Sequence, residues 1–421
     1  MSDDARNTRT ASYLAEPDEV HKVLLLYSGG LDTSVMLKWI QDEYDAQVVA
    51  LTVNLGQPGE DYDVVKGKAI QLGAVAAEVI DAREEFARDY IAPAIKANAV
   101  YGLAYPLFTA LGRPLIAKLA VDYARKHGCD TIAHGCTGKG NDQVRIEATV
   151  ATLAPELKVI APVRGWQMGR EEEIEYAREH GIPVKGGVET TPYSIDDNLW
   201  GRSSEGKWIE YLDHAPDDDV FQLVTRPEDA PDEPETVEIG FERGVPVSLN
   251  GESLGLVDLL ERVAEIGCRH GVGIIDHIED RIVGLKVRDI YEVPAAAILL
   301  PAHAELERLV CTIHQNQFKS NLDRQWGYLV YAGLWWEPLR ENLDAYMEAV
   351  SERVTGTIGM KLYKGSARVV TRSSPNAVYD AALATFETSG GLFSQQASPG
   401  FIELWSLQSR MAYRLKASQE G

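Results

Sequence analysis

Two short runs carry the residues whose types and spacing could do chemistry. The first is Leu26-Tyr27-Ser28-Gly29-Gly30-Leu31-Asp32-Thr33-Ser34, which follows the apolar stretch Val23-Leu24-Leu25. Such a continuous stretch reads as a buried parallel strand. Two glycines then allow a sharp turn and a close approach of backbone to ligand. Asp32, Thr33 and Ser34 open a helical period through Val35-Met36-Leu37-Lys38-Trp39-Ile40, so the run ends at a helix N-terminus. Unpaired N–H groups and a positive partial charge make that end an anion site, and phosphate is the anion expected. Ser28, Thr33 and Ser34 offer hydroxyls; Gly29 and Gly30 offer bare N–H groups. Asp32 is the odd member, because polyphosphate repels a carboxylate. It either caps the helix or helps hold Mg²⁺.

The second run is Ala133-His134-Gly135-Cys136-Thr137-Gly138-Lys139-Gly140-Asn141-Asp142-Gln143-Val144-Arg145. It too leaves a strand and enters a helix. Asn141 and Arg145, four apart, share one helix face, and Asp142 lies three from Arg145. An amide, a carboxylate and a guanidinium on one short element suit a zwitterionic amino acid: Arg145 takes its carboxylate and Asp142 its ammonium. Taken alone, Asp142 and Arg145 would be an ordinary surface ion pair. Lys139 either neutralises developing phosphate charge or is a solvated loop lysine.

The elements that must position these runs alternate. Helices are expected over 32–44, 61–72, 82–98, 113–127, 141–153 and 170–180, with strands at 47–55, 75–80, 131–133 and 157–163. This βαβα order implies a doubly wound parallel sheet, with ligands outside the carboxyl ends of its strands, where both glycine loops lie. The pattern changes near 185–215. An Asp/Glu/Pro-rich loop follows at 214–235, then a hairpin from 237–241 and 245–249, and helices over 255–271 and 294–318, which together read as a second, α+β domain. Leu404, Leu407, Met411 and Leu415 recur at helical spacing in the tail, giving one apolar stripe to be covered by this chain or by a neighbouring subunit. The expected domains are a loose tail at 1–20, a nucleotide-binding domain at 21–187, an α+β domain at 188–395 and a terminal oligomerisation helix at 396–421.

Composition narrows the function. The chain has 421 residues, 45% of them hydrophobic, enough for two domains. With 41 basic and 64 acidic residues its formal charge is −23, which opposes a broad nucleic-acid footprint. The four cysteines, Cys129, Cys136, Cys268 and Cys311, form no CxxC pair and read as free thiols in a reducing compartment. No signal peptide and no run of transmembrane length is read from the sequence, so a cytoplasmic protein is expected.

The first run lacks the lysine and spacing of GxxxxGK[ST] and is not GxGxxG. It matches SGGxD[ST] and so resembles the PP-loop ATP pyrophosphatases, which cut ATP between the α and β phosphates. With the second run added, the chain resembles the argininosuccinate synthase family. Further matching blocks are Asn54-Leu55-Gly56-Gln57, Tyr193 to Arg202, Gly240 to Pro246, Glu279 to Lys286 and Ile290-Tyr291-Glu292. The resemblance implies ATP, with Mg²⁺, on Leu26 to Ser34, on Val53 through its backbone and on Gly135. It implies citrulline on Tyr105, Asn141, Arg145, Ser194, Ser203, Glu279 and Tyr291, and aspartate on Thr137, Asn141 and Asp142. Asp32 and Lys139 are the candidate catalytic residues, with no covalent nucleophile and no prosthetic group. Partners would be these small molecules, with neither nucleic acid nor membrane, in a homotetramer. Two departures stand out. Where the family often has Gly-Thr-Ser, this chain has Phe108-Thr109-Ala110, leaving Thr109 to substitute for a citrulline-binding serine; Val287 stands where a serine is common. His134 and Cys136 read as structural. The alternative is another PP-loop adenylating ligase or amidotransferase, but the chain lacks the basic surface and paired cysteines of the tRNA enzymes and any N-terminal cysteine nucleophile.

Overall fold

The computed structural model describes residues 11–166, 168, 170–183, 193–385 and 393–420. Five parallel strands form its first sheet: β1 (Lys22–Leu26), β2 (Gln47–Asn54), β3 (Ala76–Asp81), β4 (Thr131–Ala133) and β5 (Lys158–Ile160), in the order β3-β2-β1-β4-β5. Val23, Leu24 and Leu25 have no exposed surface, as expected of a central strand covered by helices on both faces. The chain winds outward from β1 to β3, then crosses to β4 and β5, so the order reverses between β1 and β4. That is the switch point at which open α/β sheets bind ligands. Val23, Leu24 and Leu25 pair with Thr131, Ile132 and Ala133, so the two loops leave the same edge side by side.

The remaining strands are β6 (Ser194–Asn198), β7 (Gly201–Glu205), β8 (Glu235–Glu242), β9 (Val245–Leu249), β10 (Glu252–Ser253), β11 (Ile274–Asp280), β12 (Lys286–Glu292), β13 (Gly356–Tyr363) and β14 (Ser366–Ser373). They make two antiparallel sheets, ordered β11-β12-β7-β6 and β10-β9-β8-β13-β14. The β8–β9 hairpin turns through Arg243 and Gly244, both at positive φ (50° and 79°), the geometry that a two-residue turn requires. In the smaller sheet Tyr291 lies opposite Ser203, and Ser203 opposite Asp196. Strand alternation therefore puts Glu279, Asp289, Tyr291, Ser203 and Asp196 on one face. That face meets the first domain: Asn198 Nδ2 donates to Phe108 O (2.8 Å) and Trp200 Nε1 to Pro106 O (2.9 Å). One apolar cluster runs from Leu24 and Val49 of the parallel sheet to Val237 and Ile358 of the large antiparallel one.

Four sequence expectations are corrected. The helix expected over 113–127 starts at Phe108 and runs through Pro114, because Phe108, Leu111 and Leu115 gain full burial that outweighs one lost backbone bond. The segment expected as one helix over 82–98 is three consecutive pieces, Arg83–Phe86, a π turn at Ala87–Ile91 and Ala92–Lys96. The strand expected over 157–163 stops at Ile160, since Pro162 opens a short helix, Pro162–Gly165. The helix expected over 294–318 is two, Pro294–Val310 and Ile313–Tyr331. Thr312 caps the second: its side chain accepts from the Gln315 N–H while the Gln315 side chain accepts from the Thr312 N–H.

Two terminal helices, Ala397–Trp405 and Leu407–Glu420, end the chain. Leu404 (70% exposed) and Leu415 (60%) show that the apolar stripe is not covered by the described residues. All four cysteines are free. Among the described residues no helix is long and apolar enough to cross a membrane.

Candidate active site

The first loop leaves β1 with Tyr27 N still bonded to Leu51 O (2.9 Å). Gly29 then takes φ +80°, and Gly30 is the N-cap of helix Leu31–Tyr44. Its hydroxyls divide into two sets. Ser28 Oγ and Thr33 Oγ1 lie 3.1 Å apart at the loop mouth. Ser34 Oγ turns inward, donating to Gly30 O (2.6 Å) beside Tyr27 OH (3.0 Å), and both residues are buried. Tyr27 and Ser34 thus brace the turn that Ser28 and Thr33 present. Asp32 is exposed and Leu31 half-buried in the first helical turn. Val53 ends up buried at the rim of β2, its carbonyl accepting from Gln57 Nε2 (3.2 Å). A residue absent from the sequence reading joins here: Lys68, on helix Tyr62–Gln71, donates from Nζ to Gly29 O (2.9 Å).

The second loop packs beside the helix that opens at the first. A Cβ on Gly135 would lie 2.9 Å from Met36 Cε and 4.0 Å from Thr33 Cγ2. His134 is fully packed, with Nε2 3.0 Å from Glu147 Oε1 and Nδ1 accepting from the Cys136 N–H (3.2 Å). That acceptor assigns the ring proton to Nε2. Arg164 reaches the same Glu147 oxygen at 2.6 Å. His134 is therefore a strut, and burial first, then the Asp142 charge, pushes the Cys136 thiol far up, leaving no thiolate. Thr137 and Lys139 are exposed on the loop crest, while Asn141 is buried at its end.

Beyond the crest a buried polar pocket closes around Arg145. Its Nη1 donates to Asp142 Oδ1 (2.9 Å) and lies 3.4 Å from Thr109 Oγ1; its Nε donates to Tyr331 O (3.1 Å). Its Nη2 is buried with no hydrogen-bond partner among the described residues. A buried, unpaired guanidinium N–H is costly and is explained when a ligand supplies the acceptor. Thr109 Oγ1 is also 2.5 Å from Tyr105 OH, so the hydroxyl expected to substitute does face the pocket, whereas Ala110 is wholly within the core. Asn141 Nδ2 donates to Tyr331 OH (2.8 Å) and Oδ1 accepts from the Ile282 N–H (3.0 Å). Tyr331 OH donates to Glu279 Oε1 (2.6 Å), and Tyr291 OH reaches Glu279 Oε2 at 2.5 Å. Tyr105 stacks on Tyr291 with centroids 4.6 Å apart.

Charge is concentrated in this pocket despite the acidic chain. Burial opposes ionisation of Asp142, but Arg113 and then Arg145 outweigh it and lower its pKa to about 2. Asp142 is held from both sides, by Arg113 Nε (2.7 Å) on Oδ2 and Arg145 Nη1 on Oδ1; Arg113 also reaches Asp196 (2.8 Å). On the opposite wall burial and then the charge of Glu205 raise the Asp289 pKa to about 7, although Arg281 pulls it down. Arg281 pairs with Glu205 and Asp289 and lies 3.4 Å from Lys139 O, tying the loop crest to the smaller sheet.

Thus Tyr105, Thr109, Asn141, Asp142, Arg145, Glu279 and Tyr291 form one connected cluster, with Ser203 beside Tyr291 in register. Ser194 is exposed one pleat beyond Asp196 on the same strand face. Lys68, Arg113, Tyr331, Asp196, Arg281 and Asp289 were missed. Asp289 and Asp196 had a local signal, each lying two residues from a candidate, Tyr291 and Ser194, on one strand and hence on its face.

A parallel α/β sheet with a glycine loop at its switch point, joined to a buried polar cluster, is the setting of a HUP-domain ATP-dependent ligase, and the family comparisons show that class. Residues 22–183 match the Arginosuccinate synthase N-terminal HUP domain, and residues 193–412 the Arginosuccinate synthase C-terminal domain. Argininosuccinate synthase of Rubrobacter xylanophilus is 56% identical over 389 residues, 92% of this chain and 94% of that protein. That of Symbiobacterium thermophilum is 52% identical over 398 residues (94% and 99%), and that of Pyrococcus furiosus 50% over 394 (94% and 95%). The chain belongs to the argininosuccinate synthase family, whose members use ATP to form a C–N bond.

Proposed function

We propose that this chain condenses citrulline with aspartate in two steps through a citrullyl-AMP intermediate. The ureido oxygen of citrulline attacks the α-phosphorus of MgATP, the bond to the β-phosphate oxygen breaks, and pyrophosphate leaves into the Ser28–Ser34 loop. The neutral amine of aspartate then attacks the ureido carbon, loses a proton, and displaces AMP together with the former ureido oxygen. In this reading Ser28, Gly29, Gly30, Asp32 and Thr33 face the phosphates, with Leu26, Tyr27, Leu31 and Ser34 shaping the turn and Val53 and Gly135 flanking the nucleotide. Mg²⁺ arrives with ATP, and no prosthetic group takes part. Citrulline lies on Tyr105, Thr109, Asn141, Arg145, Ser194, Ser203, Glu279 and Tyr291. Aspartate lies on Thr137, Asn141 and Asp142, and Lys139 offsets charge above the crest. Catalysis is positioning and charge stabilisation, with no covalent enzyme intermediate.

The observation that carries this reading is the close approach of the second loop to the helix that opens at the first, Gly135 lying beside Met36 and near Thr33. A phosphate cradle and an amino-acid pocket with an unpaired buried Arg145 N–H then share one rim. The unpaired thiols suit a reducing cytoplasm, and the uncovered terminal stripe suits a homotetramer. The test is pyrophosphate release with each substrate omitted in turn, using citrulline labelled with oxygen-18 in the ureido group. Turnover needing both amino acids, with label in AMP, is expected. Label kept in argininosuccinate overturns the adenylate; turnover with ammonia or tRNA in place of aspartate overturns the substrate assignment.

A further inference from the structure

We propose that Lys68 is the cation that binds the outer phosphates of ATP and holds the departing pyrophosphate. Helix Tyr62–Gln71 packs directly on the first loop: a Cβ on Gly29 would come within 3.0 Å of Val65 Cγ2. Lys68 follows Val65 by three residues and so lies on the same helix face. Its Nζ reaches Gly29 O at 2.9 Å, at the centre of the turn.

Charge explains why an ammonium stands there. A helix N-terminus supplies about half a positive charge. Asp32, exposed in the first turn of that helix, sets a carboxylate beside it. The loop has no lysine of its own, so no full positive charge within it meets a strongly negative leaving group. Several other basic groups among the described residues serve other elements. Lys38 pairs with Asp42 (2.7 Å) further along its own helix, and Arg113 and Arg145 are both held by Asp142. Lys139 sits on the opposite loop, whose crest is tied to Arg281. Lys68 is half-buried, which strengthens its field relative to that of a solvated lysine. A flexible point charge also suits a group that must follow pyrophosphate as it moves away.

A bland alternative is that Lys68 merely donates a hydrogen bond to Gly29. Lys68→Gln keeps a donor and removes the charge; Lys68→Arg keeps the charge and changes the geometry. Binding of inorganic pyrophosphate with Mg²⁺, and of MgATP, is measured by calorimetry on the full chain without either amino acid. The expected result is at least a tenfold weaker pyrophosphate affinity in K68Q, substantial recovery in K68R, and citrulline affinity within twofold of wild type in both. Wild-type pyrophosphate affinity in K68Q overturns the inference, as does equal weakening in K68Q and K68R. The inference rests on the ATP reading of the first loop: a wild-type chain that binds neither MgATP nor MgPPi overturns that reading itself, whereas normal wild-type binding with an unaffected K68Q overturns Lys68 alone.

Discussion

The guanidinium of Arg145 is held on Nε and Nη1 by Tyr331, Asp142 and Thr109, yet its buried Nη2 has no hydrogen-bond partner among the described residues. Such a residue is pre-aimed, so a carboxylate meets a donor that needs no reorganisation. Lysine at this position keeps the charge but loses the planar fork and the bond to Tyr331 O. Arg145→Lys is expected to raise the citrulline KM with little change in the ATP KM. Loss of one charge-assisted contact corresponds to about 2–3 kcal/mol, or roughly a thirty- to hundred-and-fortyfold change. Steady-state kinetics with each substrate varied checks it, and an unchanged citrulline KM removes Arg145 from the pocket. Arg145, Asp142 and Asn141 were legible in sequence because they lie within five residues on one helix start. Tyr331 and Arg113 complete the same cluster from 186 and 32 residues away, and no local pattern marks them.

Elements decide whether these side chains meet. The parallel sheet and the two glycine loops at its carboxyl edge were legible because apolar runs and glycines are local signals, whereas the strand order, which depends on long-range pairing, was not. The errors fall where tertiary packing or a cap overrides periodicity. Pro114 looks like a helix start but lies seven residues in, and Thr312 with Gln315 ends an apparently continuous helix. The turn at Gly29 shows what an element must tolerate. Its φ of +80° disfavours any side chain, and Val65 leaves no room for one. Gly29→Ala is expected to destabilise the unliganded chain by about 1 kcal/mol or more and to weaken ATP binding. The double variant G29A/V65A separates the two causes. Thermal unfolding that recovers in the double variant assigns the loss to contact with Val65, and unfolding that stays low assigns it to backbone conformation. A single variant as stable as wild type contradicts both.

At the scale of the whole molecule, a chain of charge −23 still sets Lys68 against the first glycine loop and Lys139 on the crest of the second. The same scale explains the tail. Phe401, Ile402, Leu404, Trp405, Leu407, Met411, Tyr413 and Leu415 are all exposed on two consecutive helices. Each such side chain contributes about 1.5–3 kcal/mol when buried, so covering four of them yields about 6–12 kcal/mol. That is comparable to the roughly 4–15 kcal/mol lost when subunits give up their freedom of motion, so the stripe alone can make assembly marginal or favourable. The periodicity of the tail was readable, but its partner was not, because a stripe does not say which surface covers it. If the proposed homotetramer uses it, deleting residues 397–420 removes the cover from every subunit while leaving both loops and the pocket in place. Light scattering on the full chain should then give about four times the chain mass, and the truncated chain a smaller particle at the same concentration. Leu404→Glu with Leu415→Glu should lower the mass in the same direction, because a charge buried without a partner opposes the interface. An unchanged mass in both variants means that the terminal helices do not hold the assembly together.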